Sequence, residues 1–260
     1  MRAPVLQDSL PHVPWMDPRT WRLPGMLPCG AEDWIRADEA FAGQMAERDW
    51  LIATRQPLVH ALLPEGRAAA EELLETVLEI LSRRPGYAVD PARVTRPDGV
   101  EVRVDRAFPM VTLGRLVQED LCLMQRQGAE SVLTGAILCF PASWTLAQKI
   151  GKPMTGIHRP VHHYDAEIAR RVQRLFDMVR VGQPLERYNA LVYDDPTLFQ
   201  PRLEFDKRPY AVERLFLRSE RQCILRLPVT EAVVFSIHTH IVPLARFTEA
   251  ERAAMAEAGL

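Results

Sequence analysis

The sequence has no excess of charge of one sign and no long apolar run. Its 260 residues include 32 Lys or Arg and 34 Asp or Glu, which gives a formal net charge of −2. Sequence-independent nucleic-acid binding needs a basic surface, and the composition offers none. No apolar run approaches the roughly 20 residues that cross a bilayer, and the first residues lack the apolar core of a signal peptide. We therefore expect no nucleic-acid partner, no membrane and a cytoplasmic location.

Sequence motifs of common enzyme classes are also missing. No P-loop, GxGxxG, GxSxG or HExxH pattern occurs, so nucleotide-driven and common hydrolytic mechanisms lose their usual support. The few cysteines, Cys29, Cys122, Cys139 and Cys223, are scattered without CxxC spacing. In a chain that is not secreted, such cysteines are expected to stay reduced and to fill the core.

Hydrophobic periodicity predicts an α+β fold. Helical spacing covers residues 33–55, 68–84 and 164–181, and strand-like alternation covers 100–104, 114–124, 131–140, 185–193, 214–228 and 231–245. This order predicts a mostly antiparallel sheet with N-terminal helices and one long inserted helix. We expect an extended arm rich in Pro and Trp over 1–30, a single domain over 31–247, and a C-terminal tail or short helix over 248–260.

One segment combines a buried strand with a group of histidines. Residues 133–140 are apolar and uncharged, and a short helix is predicted over 143–149. The loop that follows carries His158, His162 and His163, three of the seven histidines. Since histidine is the commonest metal ligand among side chains, we expect chemistry in this segment.

Three runs in the sequence resemble the heme-dependent oxidative N-demethylase family: LVQEDLCLM, GAILCFPASWTLAQKIGKPMTGIHRPV and RSERQCILRLP. The resemblance extends from about Trp21 to about Leu244. It implies a heme b cofactor in a PAS-like domain, and demethylation of a small secondary amine such as dimethylamine by dioxygen, with release of formaldehyde. A PAS-like heme sensor of oxygen or another diatomic gas is the alternative function.

The resemblance also implies partner proteins. Because the chain has no recognisable flavin, nicotinamide or iron–sulfur motif, electrons would come from a separate flavin- or ferredoxin-type reductase subunit. Relatives of the family also work with a tetrahydrofolate-dependent subunit that captures formaldehyde.

Within this resemblance His158 is the expected proximal ligand of the heme iron, with His162 as the reserve ligand. A neutral imidazole can bind iron through one ring nitrogen while the other is held by an acceptor. Gly156 and Ile157 would form part of an apolar wall beside the ring. A histidine that only packs in a loop is the alternative.

The strand RSERQCILRL carries two candidate heme-binding arginines. Alternation places Arg221 on the more apolar face, with Cys223 and Leu225, and Arg226 on the other face. A buried guanidinium needs an anion, which would be an internal carboxylate or a heme propionate. Arg226 is the weaker candidate.

Two acidic residues, Glu119 and Asp120, lie in the middle of the apolar run LVQEDLCLM. They point in opposite directions in a strand, so at least one is expected to face the interior. A buried carboxylate can anchor a protonated amine and accept its proton, so both are candidate catalytic residues. A structural ion pair with Arg221 is the alternative.

His238 and His240 share one face of the last predicted strand. Two such histidines can begin a non-heme metal site, but the sequence does not place a third ligand. Ser236 on the same face favours solvent exposure instead. A non-heme metal protein is thus a third hypothesis for the function.

Overall fold

The computed structural model describes residues 3–21, 25–159, 166–206 and 213–260, which form an α+β fold as predicted. The α-helices of these residues are α1 (Pro18–Trp21), α2 (Phe41–Val59), α3 (Arg67–Leu81), α4 (Pro109–Gly114), α5 (Met154–His158), α6 (Ala166–Met178) and α7 (Glu249–Glu257). The strands are β1 (Leu27–Pro28), β2 (His60–Leu62), β3 (Ala88–Val89), β4 (Arg93–Thr95), β5 (Glu101–Arg103), β6 (Asp120–Gln127), β7 (Glu130–Ile137), β8 (Leu185–Tyr193), β9 (Phe216–Arg226) and β10 (Val233–Pro243).

The main sheet is antiparallel, with the strand order β1-β8-β9-β10-β6-β7-β2. Strands β3, β4 and β5 form a separate small sheet. The longest pairing joins β9 to β10, each 11 residues long, and places Arg221 opposite His238. The predicted antiparallel sheet is confirmed, while its PAS-like character stays a prediction.

One face of the main sheet packs against α2, α3 and α4. Its buried core includes Leu121, Ile137, Cys223 and Val234 from the sheet, and Leu51, Leu73, Val77 and Met110 from the helices. Because side chains alternate along a strand, Arg221, His238 and His240 stand on the same side as Cys223 and Val234. We call this side the α2/α3 face.

The opposite face packs against α5 and α6. Its core includes Cys122, Ala136, Ile224 and Ile237 from the sheet, and Met154, Phe176 and Val179 from the covering segments. Alternation places Glu220, Gln222 and Arg226 on this side with Ile224, and Arg187 with Leu185. We call this side the α5/α6 face.

Two predicted boundaries are wrong. The helix predicted from residue 33 begins at Phe41, although Trp34 is buried before it. Residues 114–119 are not part of a strand, because Pro109 starts the short helix α4 and β6 begins only at Asp120. The carbonyl oxygens of Gly114 and Gln118 in this connection accept hydrogen bonds from Arg48 instead of from a neighbouring strand.

The segment after β7 also differs from its prediction. Ser143 has φ of 64°, in the left-handed region, and caps no helix; only a 3-10 turn forms, at Leu146–Gln148. The predicted histidine loop instead begins with the helical turn α5, of which His158 is the last residue. His162 and His163 lie outside the described residues.

The chain termini pack against each other. Near the N-terminus Trp15 is buried, contacts Phe247 in a tilted arrangement with 5.5 Å between ring centroids, and donates a hydrogen bond to the carbonyl oxygen of Glu251 in α7. The short helix allowed for the C-terminus therefore forms as α7. The division of the chain into arm, domain and tail stays a prediction.

Candidate functional site

His158 ends α5, which packs on β7 at the α5/α6 face. Its Nδ1 atom lies 3.0 Å from the carbonyl oxygen of Met154. A carbonyl oxygen only accepts hydrogen bonds, so Nδ1 carries the proton and the lone pair of the ring lies on Nε2. Burial lowers the pKa of His158, which favours the neutral ring. A neutral imidazole with one nitrogen held by an acceptor is the form that ligates metals.

Both ends of α5 are tied to neighbouring segments. At its start, the backbone N–H of Thr155 donates to Glu130 of β7 at 3.0 Å, and the Thr155 hydroxyl donates to the same carboxylate at 2.8 Å. At its end, the buried ammonium group of Lys149 donates to the carbonyl oxygen of Ile157 and pairs with Glu204 at 2.8 Å. These contacts fix the orientation of the last residue of the helix.

Strands β8 and β9 bring a polar patch to the same face. The carboxylate of Glu220, 9% exposed, accepts hydrogen bonds through Oε2 from Asn189 at 3.0 Å and from Gln222 at 3.1 Å. Its Oε1 atom lies 3.5 Å from Nε of Arg218. The hydroxyl of Thr239, opposite Glu220 in β10, is buried without a hydrogen-bond partner within the described residues.

Arg187 contributes an incompletely paired cation to this patch. Its Nη1 donates only a long hydrogen bond, 3.3 Å, to Gln222, and its buried Nε has no partner in the described part of the chain. Burial lowers the pKa of Arg187, and Glu220 opposes that shift. A guanidinium in this state is suited to an anionic ligand.

Sequence reasoning missed Arg187 and Glu220, although the signal was present. The alternation that places Arg221 with Cys223 also places Glu220 with Ile224. Arg187 alternates with Leu185 in the same way along β8.

The structure places the two predicted heme-binding arginines away from each other. Arg221 is buried as predicted and finds an internal carboxylate: Glu186 of β8 lies 2.5 Å from Nη2, on the α2/α3 face. Its Nη1 atom is buried without a hydrogen-bond partner among the described residues. Arg226 lies on the α5/α6 face, where it donates to the carbonyl oxygens of Phe176 and Val179 at the end of α6. Their roles in heme binding stay predictions.

Both predicted catalytic carboxylates are fully buried, but the predicted pair with Arg221 is wrong. Asp120 instead pairs with Arg48 of α2 at 2.7 Å and accepts hydrogen bonds from two backbone N–H groups that follow β7. Arg221 is separated from Asp120 because β10 lies between their strands. Glu119 accepts hydrogen bonds from the backbone N–H of Arg36 at 2.8 Å and from His238 at 3.0 Å.

His238 and His240 belong to a buried polar cluster on the α2/α3 face. Ser236 is also buried, so the expected solvent exposure is wrong. His238 contacts Glu119 through Nδ1 and Asp38 through Nε2, at 3.0 and 3.1 Å. Burial opposes a charge on His238, but these two carboxylates raise its pKa to about 9. Burial and the neighbouring His238 lower the pKa of His240 to about 3.

A family model described as haem-dependent oxidative N-demethylase, alpha subunit-like, matches residues 25–258. The chain belongs to this family. Heme is therefore the cofactor, as predicted, and the activity belongs to the oxidoreductase class that the family name states. No helix in the described ranges combines the length and apolar character needed to span a membrane.

The α5/α6 face carries side chains of the kinds that can hold a heme. His158 offers a neutral imidazole in the required tautomer, and Arg187 offers a buried guanidinium nitrogen without a partner in the described ranges. The helix α5 packs on β7, and β8 lies four strands away, a distance of about 19 Å. Three strands lie between them: β6 and β10 present apolar residues, among them Cys122 and Ile237, and β9 presents the polar Glu220 and Gln222.

A cavity of about 520 Å³ opens beside this region. It is lined by Leu58, Thr145, Ala147, Pro201, Arg202, Leu203 and Asp206, and its volume lies within the range of ligand pockets. His158 is not among these residues. Residues 160–165, which begin two positions after His158, lie outside the described part of the chain.

Proposed function

We propose that this protein is the heme-binding subunit of an oxidative N-demethylase that acts on a small secondary amine such as dimethylamine. The observation that carries the proposal is the imidazole of His158, which is neutral, held through Nδ1 by Met154, and located on the same sheet face as Arg187 and Glu220. A metal ligand and an incompletely paired guanidinium on one sheet face suit a flat ring with carboxylates at its edge.

In this proposal each residue has a separate task. Nε2 of His158 would hold the heme iron, and Arg187 would pair with a propionate. When bound, heme supplies the oxidation of the N-methyl group by dioxygen and electrons, which leads to release of formaldehyde. The protein orients the amine and excludes competing reactions.

We assign the amine-binding role to Glu220. A secondary amine is protonated at neutral pH, and its ammonium group needs an anion when it leaves water. Glu220 can accept an N–H hydrogen bond from the amine and take its proton at a carboxylate oxygen before the methyl group is oxidised. Glu119 and Asp120 stay predictions for this task; their partners are His238 and Arg48, and Glu119 lies on the opposite face.

Other subunits complete the activity in this proposal. The name of the family, alpha subunit-like, supports an assembly of more than one kind of chain. We propose that a flavin- or ferredoxin-type reductase delivers electrons, and that a tetrahydrofolate-dependent subunit accepts formaldehyde. Copurification under mild conditions, with mass spectrometry of the bound chains, identifies these partners.

The visible spectrum of the heme-loaded protein tests the proposal. We expect a Soret band that shifts when dimethylamine is added, and formaldehyde when a reductase and dioxygen are supplied. A band that ignores amines but responds to carbon monoxide or dioxygen would favour the gas sensor.

Replacement of the ligand provides the second test. His158→Ala should lose most of the bound heme, because the iron loses its protein ligand. His60→Ala, a variant of a half-buried histidine in the edge strand β2, is the matched control and should keep its heme. Unchanged occupancy in His158→Ala would show that another residue is the ligand, and His162→Ala would then be tested.

A further inference from the structure

The structure assigns a second metal site to this chain, formed by Asp38, His238 and His240 on the α2/α3 face. We propose that it binds one divalent transition-metal ion of the zinc class. The ion would be structural: it would join the segment before α2 to β10 in the middle of the main sheet. The site is separate from the heme, because His158 lies on the opposite face.

The distances between the candidate ligand atoms suit such an ion. Oδ2 of Asp38 lies 3.1 Å from Nε2 of His238 and 3.9 Å from Nε2 of His240. One ligand atom from each of the three residues lies within 4.8 Å of the others. Two ligands of a tetrahedral zinc ion, each about 2.1 Å from the metal, lie about 3.4 Å apart. Small side-chain movements would therefore complete the coordination.

Glu119 supports the same assignment independently. A metal-bound histidine usually donates its other ring N–H to a carboxylate, which fixes the ring. Nδ1 of His238 lies 3.0 Å from Oε1 of Glu119, so Nε2 is the nitrogen that faces Asp38. Oε1 of Glu119 also accepts the backbone N–H of Arg36 at 2.8 Å. This carboxylate is therefore held in place from two sides.

The balance of buried charge also favours a cation here. Within the described residues only His238 and His240 lie within ion-pair distance of Asp38 or Glu119, and no lysine or arginine side chain does, although Glu119 is fully buried. The nearby side chains of Arg36 and Arg221 instead lie within 4 Å of Glu186, at 3.8 and 2.5 Å. On binding the ion His238 would release the proton at Nε2, and a divalent ion with two neutral imidazoles would then balance the two carboxylates.

Two buried polar atoms beside the candidate ligand atoms are also unpartnered. Nδ1 of His240 and Oε2 of Glu119 are buried and have no hydrogen-bond partner in the described part of the chain. Asp38 is held by amide groups: Gln7 donates to Oδ2 at 2.9 Å and Gln118 donates to Oδ1 at 2.7 Å. The Asp38 side chain is 17% exposed, which gives an ion a route from solvent.

Zinc uptake by the heme-loaded full-length protein tests the assignment. The protein is treated with a chelator, incubated with zinc, desalted, and measured for zinc by mass spectrometry. We expect one zinc per chain in the wild type, and less than a tenth of that in Asp38→Asn and in His240→Asn. Wild-type protein that keeps its Soret band and circular dichroism but takes up no zinc would overturn the proposal.

Control variants separate this site from other zinc ligands. The structure brings Cys29, Glu186 and Cys223 together as a second possible ligand group. Cys29→Ser should keep one zinc; loss of zinc in that variant would overturn the assignment to the histidines. A variant that misfolds would lose its Soret band as well. In that case zinc binding is tested on the wild type and on Cys29→Ser, by the change in Tm when zinc is added. We expect zinc to raise the Tm of the wild type and of Cys29→Ser, and an unchanged Tm would count against the site.

Discussion

Glu220 and Asp120 are both buried carboxylates, but they differ in how many strong hydrogen-bond donors already occupy their oxygens. Asp120 has no exposed surface and is engaged by the guanidinium of Arg48 at 2.7 Å and by two backbone N–H groups. Glu220 accepts from two neutral amides, and its nearest guanidinium nitrogen, on Arg218, is 3.5 Å away. Glu220 can therefore accept a further donor, such as the N–H of an ammonium group.

Replacement of Glu220 by glutamine tests this difference. A hydrogen bond to a charged group contributes about 1.5–3 kcal/mol, so Glu220→Gln should raise KM for dimethylamine by about 10-fold to 150-fold. Heme occupancy should stay unchanged, since the substitution keeps the shape of the side chain. Glu101→Gln, an exposed variant in the small sheet, serves as the control. Steady-state kinetics with an unchanged KM would contradict the amine-binding role.

The burial of Arg221 was predictable, but its partner was not. Alternation in β9 places Arg221 beside Cys223, and the residue is indeed buried. Its partner Glu186 lies on β8, and the register between β8 and β9 depends on long-range packing rather than on local pattern. Asp120 shows the same limit, because its partner Arg48 comes from a helix 72 residues earlier.

At the scale of elements, strands with strict alternation were predicted well. Strands β8, β9 and β10 all fall within their predicted segments, because each has an apolar face that must be buried. The start of α2 was not predictable from periodicity. Trp34 has helical spacing to later residues, but Asp38 accepts the backbone N–H of Ala40 at 3.0 Å and also contacts His238, which holds the preceding segment in an irregular path.

The capping of α7 gives a prediction at this scale. Thr248 accepts the backbone N–H of Glu251, and the Glu251 carboxylate accepts the backbone N–H of Thr248 at 2.7 Å. This reciprocal arrangement is a capping box. Thr248→Ala should therefore lower the free energy of unfolding by about 1 kcal/mol in urea titrations. Thr248→Ser keeps the hydroxyl and should stay close to the wild type; equal losses in both variants would mean that the cap contributes nothing.

At the scale of the whole molecule, the main sheet separates two sites. Helices α2 and α3 cover the face that carries the histidine cluster, and α5 and α6 cover the face that carries His158. Neither covering layer could be predicted from the sequence, because the strands β6 and β7 are apolar on both sides. Three of the four cysteines are buried: Cys122 in β6, Cys139 just after β7 and Cys223 in β9.

Gln7 binds the N-terminal segment to β10, the last strand in chain order. The Gln7 backbone N–H donates to the carbonyl oxygen of Ile241 at 2.9 Å, and the Gln7 side chain accepts the backbone N–H of Ile241 at 2.8 Å. The side-chain amide also donates to Asp38 at 2.9 Å and to the carbonyl oxygen of Thr239 at 3.2 Å. Gln7 is 2% exposed, so these bonds are shielded from water.

Loss of the Gln7 side chain should therefore release the N-terminal segment as a unit. Gln7→Ala leaves the buried N–H of Ile241 without a partner, which costs about 1–3 kcal/mol, and local opening should speed trypsin cleavage at the exposed Arg19. Asp8→Asn alters only an exposed ion pair with Arg246 and should change neither measurement appreciably. Faster cleavage with an unchanged unfolding midpoint would mean that the segment opens without weakening the sheet, whereas an unchanged cleavage rate would show that Gln7 does not hold it.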